Sequence, residues 1–88
     1  MKKPSCLIIL FSIHFVLKAE KLLLADNISI DVIPVPRDLS SDCGMAIKFS
    51  YDDIERVQGV LVGGRIAIAQ MFKQEKENGF VELYNSDE

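Results

Sequence analysis

The chain changes its hydrophobic rhythm several times, and each change marks an element. From Leu7 to Phe11 every position is apolar, the pattern of a strand buried on both faces. Ser12 comes next and predicts an N-cap, because its hydroxyl can accept a bond from an unpaired backbone N–H in the following turn. From about His14 to Asp26, Phe15, Ala19, Leu22 and Leu23 recur at helical spacing, while His14, Lys18 and Lys21 follow a polar stripe. Asn27 tolerates the left-handed conformation that ends helices.

The rhythm then drops to a period of two. Ile28, Ile30 and Val32 alternate with Ser29 and Asp31, predicting a half-buried strand over Ile28 to Val35. Pro34 and Pro36 lack the N–H for a ladder bond, which places this strand at an edge. After a polar loop, Arg37 to Gly44, Met45, Ile47 and Phe49 alternate with Ala46 and Lys48 as a third strand. Ser50 with Asp53 resembles a capping box. Ile54, Val57 and Leu61 form the apolar face of a second helix that Gly63-Gly64 should stop. A fourth strand is expected from Ile66 to about Lys73, a charged turn over Gln74 to Glu77 with the Asn78-Gly79 hairpin signal, and a fifth strand over Phe80 to Tyr84.

The order β-α-β-β-α-β with an extra C-terminal strand predicts an α+β fold, a ferredoxin-like sandwich of the split βαβ kind. All 88 residues are read as one domain, with its core over about residues 6–73, a C-terminal hairpin over 66–84 and a frayed tail over 85–88. Both helices should cover one sheet face. The first strand is apolar on its other side as well, which predicts a second copy of the chain there.

Composition narrows the function classes. The chain is 49% hydrophobic and 26% charged, as folded domains are. Its net charge of −3 and scattered cations lack the footprint that grips a phosphate backbone. No nucleic acid partner is expected. Cys6 and Cys43 form no CxxC pair and no zinc-ligand spacing with the single histidine, so neither metal nor cofactor is expected. Sparse cysteine usage fits a reduced, cytoplasmic protein.

The opening MKKPSCLIILFSIHFVLKAE competes as a secretory signal. His14 interrupts its apolar run, no A-x-A pattern follows, and the run is too short to cross a bilayer. We read it as a strand, since its removal would take the centre out of a small core.

The first and third strands of this topology are antiparallel neighbours, which brings the end of the first, with Ser12 and His14, beside the start of the third, with Cys43 and Gly44. Cys6 falls at the opposite edge and is read as a core residue, too far for a disulfide. A thiolate at Cys43 would gain from the positive start of the first helix and from Arg37, and lose from Asp38 and Asp42. Gly44 permits a tight turn.

The run VIPVPRDLSSDCGMAIKF, with LFSIHFVLKAEKLL upstream, resembles the selenium/sulfur carrier-like family of small bacterial domains, over roughly Leu7 to Leu61. The specific part is P-R-x-x-S-x-x-C-G, matched by Pro36, Arg37, Ser40, Cys43 and Gly44; Ser12-x-His14 and Ala19-Glu20 match upstream. Asn27 replaces an expected glycine, and Phe15-Val16 are bulkier than usual. The resemblance implies that Cys43 accepts sulfur or selenium from a donor enzyme and yields it to an acceptor enzyme, with Ser12, His14, Arg37, Ser40 and Gly44 in support. Such a carrier needs no acid/base pair of its own. A non-catalytic regulatory or interaction module is the alternative, and would leave Cys43 incidental.

Overall fold

The all-apolar run becomes the middle strand of the sheet. The computed structural model describes residues 4–37, 39, 44–76 and 79–86. These form β1 (Ser5–Leu10), α1 (Ile13–Ala25), β2 (Ile30–Pro34), β3 (Met45–Ser50), a short 3-10 turn (Tyr51–Asp53), α2 (Ile54–Gly63), β4 (Ile68–Lys76) and β5 (Gly79–Asn85). The sheet runs β2-β3-β1-β4-β5, every neighbouring pair antiparallel. It is an α+β fold with five strands and two helices.

Alternation along β1 feeds both faces. Cys6, Ile8 and Leu10 join the main core with Val16, Ala19 and Leu23 of α1, Val57 and Leu61 of α2, and Ile47, Phe49 and Met71 of the sheet. Ile9 points the other way and packs with Ala46 and Phe72, on which Ile33, Val35, Leu39 and Phe80 rest. The covering that the sequence assigned to a second copy is thus supplied in part by the chain's own residues. Ala46, read from alternation as a polar-side position, is buried by that second cluster. Phe11, read as the end of the strand, is 53% exposed because the ladder stops at Leu10 and the chain turns into α1.

Both helices end in the same device. Asn27 and Arg65 take positive φ, 61° and 60°. Beyond them the Ile28 N–H reaches the Leu23 carbonyl at 3.1 Å and the Ile66 N–H reaches the Leu61 carbonyl at 2.9 Å, the bonds of a Schellman motif. Ile28 and Ile66 are buried by these caps and so precede their strands, which begin two residues later than alternation alone suggested. The left-handed residue after α2 is Arg65, not a glycine. Gly64 serves packing instead, since a Cβ there would stand 2.5 Å from Leu22 Cδ1 on α1.

Two other boundaries move. The Ser50 hydroxyl accepts from the Asp52 N–H at 3.3 Å, not from Asp53, because the 3-10 turn intervenes before α2. The charged stretch assigned to a turn is largely strand: Gln74, Glu75 and Lys76 continue β4, pairing across to Phe80 and Gly79. Glu77 and Asn78 lie outside the described residues. Asn85, expected to fray, pairs with Gln70. Pro34 sits on β2, an edge strand as expected.

Candidate functional site

The pairing of β1 with β3 brings the candidate residues to one edge of the sheet. Ser5 lies opposite Ser50 and Ile8 opposite Ile47, so the C-terminal end of β1 meets the N-terminal end of β3. Pro34 opposite Met45 brings the end of β2 to the same edge. Ser12 and His14 leave β1 there, Arg37 follows β2, and Gly44 precedes β3. Cys43 and Ser40 lie outside the described residues.

The described members are held in different ways. The Ser12 hydroxyl accepts from the Phe15 N–H at 3.3 Å, and its extended backbone starts α1 as an N-cap must. No acidic residue occupies the first turn of α1, so the positive end of the helix is not neutralised from within. His14 is exposed on that turn, its ring edge-on to Phe15 at 5.9 Å. Arg37 is exposed. Gly44 has φ +73°, a conformation that L side chains rarely adopt, with open space where a Cβ would go. Its requirement for glycine is conformational, not steric.

Two anchors of the loop escaped the reading of the sequence. The Val35 N–H donates to the Gly44 carbonyl at 3.1 Å, joining the loop's two ends. Leu39 packs against the second apolar cluster, with its N–H on the Pro36 carbonyl at 3.0 Å. A single leucine inside an otherwise polar loop was the available signal.

Cys6 is a free thiol, buried in the core as expected. Burial pushes its pKa up, and the Lys73 charge opposes that rise. A neutral buried thiol is a poor nucleophile. Among the described residues there is no cluster of metal-binding side chains, and no helix long and apolar enough to cross a membrane.

The family model described as "Putative Se/S carrier protein-like" matches residues 5–73. No curated protein and no solved structure gives a match.

Proposed function

The chain belongs to the Se/S carrier protein-like family, and from that premise we propose that it carries sulfur or selenium between enzymes on the thiol of Cys43, as a persulfide or selenosulfide. The observation that carries the reading is the reach of the family match, which takes in Ser12, His14 and the whole loop from Arg37 to Gly44. The rim around the loop supports it: an unneutralised helix start and a glycine in the left-handed region.

Loading is a sulfur transfer with no net redox change. The Cys43 thiolate attacks the outer sulfur of a donor enzyme's persulfide, a new S–S bond forms, the donor's own S–S bond breaks, and the donor cysteine leaves as thiolate. Delivery repeats the step with the acceptor as nucleophile. The partners supply proton transfer, so the carrier needs only an accessible thiol and a surface on which to dock. This chemistry requires a reduced thiol, and we place the protein in the cytoplasm. We read its first four strands and two helices as a ferredoxin-like sandwich extended by β5, in one domain over residues 1–88.

Incubation with a cysteine desulfurase and cysteine, followed by intact-mass analysis, is expected to add one sulfur to the wild-type chain and none to Cys43→Ser. An equal gain on the variant overturns the reading.

A further inference from the structure

The outer face of α1 is built unlike a helix face meant for water. Ile13 and Leu17 lie one turn apart, and Leu24 continues the line two turns on. They are 47%, 52% and 52% exposed, respectively. At 100° per residue these three fall within a narrow arc, and His14, Lys18 and Lys21 occupy the arc beside it. All three of those side chains are exposed. The opposite side of the helix holds Val16, Ala19 and Leu23 in the core.

The face is basic on a molecule that is acidic as a whole. The chain as a whole is acidic, at −3, yet Glu20 is the only acid within α1. Arg56 spends its charge on Asp26 and Asp53, and Lys73 on Glu75. Lys18 and Lys21 make no ion pair with a described residue. His14, Leu17, Lys18 and Lys21 also line a shallow concavity of about 330 Å³. The face starts at the rim where Gly44 and Arg37 sit, because α1 begins at that edge of the sheet.

We propose that this face of α1 is the docking surface for the carrier's sulfur-donating protein, and that the donor meets it with an apolar strip bordered by carboxylates. The assignment rests on the carrier reading above. Ile13 and Leu17 supply apolar area that a partner can desolvate, while Lys18 and Lys21 steer and orient it along the helix. A partner lying along α1 has its reactive sulfur at the helix start, beside the rim. An anionic membrane would also attract a basic and apolar helix face. The overall negative charge and the confinement of the cations to one side of the apolar line favour a protein.

The test compares the initial rate of sulfur loading from a cysteine desulfurase for wild type, Lys18→Glu/Lys21→Glu and Leu17→Ser, with loading by inorganic polysulfide as the measure of the thiol itself. The desulfurase rate is expected to fall with rising salt for wild type and to drop roughly tenfold in the charge-reversed variant. Polysulfide loading should be equal in all three. Equal desulfurase rates for wild type and the charge-reversed variant overturn the docking assignment alone, as does a parallel loss of polysulfide loading. Co-sedimentation of wild type with phosphatidylglycerol vesicles, abolished by the charge reversal while desulfurase rates hold, gives the face to a membrane instead. A wild-type chain that acquires no sulfur from the desulfurase but accepts it from polysulfide rejects this donor surface, and one that acquires sulfur from neither rejects the carrier reading with it.

Discussion

At the scale of single residues, Gly44 and Arg65, both at positive φ, make opposite predictions. Gly44 holds φ +73° at the foot of the loop, with nothing near the position of a Cβ. Gly44→Ala adds no clash but forces an L side chain into the left-handed region, at about 1–2 kcal/mol. Urea denaturation should show that loss, and an unchanged midpoint would mean that the loop foot relaxes freely. Arg65 already bears that strain at φ 60° beyond α2. Arg65→Gly is expected to stabilise the fold by about 1 kcal/mol or slightly less, the backbone freedom of glycine in the unfolded chain offsetting part of the gain. A Tm that rises for Arg65→Gly and falls for Gly44→Ala is the paired signature. The positive φ of Arg65 was not legible in the sequence, because arginine carries no turn signal and only the cap geometry puts it there. Asn27 was legible, since asparagine is a common left-handed residue.

At the scale of elements, α1 depends on its cap and the sheet's second face depends on β5. The Ser12 hydroxyl caps the start of α1 by accepting from the Phe15 N–H, so Ser12→Ala should cost about 1 kcal/mol of stability. Hydrogen exchange at the Phe15 amide should rise in the same variant; protection equal to wild type would show that water replaces the hydroxyl at no cost. On the other side, Phe80 meets Phe72 edge-to-face at 6.5 Å and rests on the cluster of Ile9 and Ala46. Phe80 is half-buried, so Phe80→Ala should lose about 2 kcal/mol, below the range for a fully buried phenylalanine. The element order and most element cores were readable from periodicity. The length of β4 was not, because Gln74, Glu75 and Lys76 have the composition of a turn, and it is pairing that holds them extended, of Gln74 with Ser5 of β1 and Phe80 of β5 and of Lys76 with Gly79. Ala46 was misjudged for a related reason: alternation tells which positions share a face, and not whether the second face is covered.

For the whole molecule, what the sequence disclosed about the site follows from topology, and what it withheld follows from packing. Antiparallel pairing of β1 with β3 was enough to bring Ser12, His14 and Gly44 to one edge, whereas the tie from Val35 to Gly44 and the seat of Leu39 depend on which residues cover the second apolar face of β1, and no local pattern announces them. The same burial on both faces of β1 leaves a mark on how stability varies with pH. Cys6 lies in the centre of the molecule with no exposed surface, and desolvation raises its pKa despite the opposing charge of Lys73. In the unfolded chain the thiol ionises at its ordinary pKa, while in the folded chain it keeps its proton to higher pH. Below the unfolded value the two states bind the same proton and the contribution of Cys6 is fully present; as pH rises toward and through the folded value, that contribution is lost. Urea midpoints should therefore decline more steeply on the alkaline side for wild type than for Cys6→Ala, which starts from lower stability because it leaves a small cavity. Parallel declines in the two proteins would show that water or base reaches Cys6 as readily in the native state as in the unfolded one, and the core would then not be closed around β1.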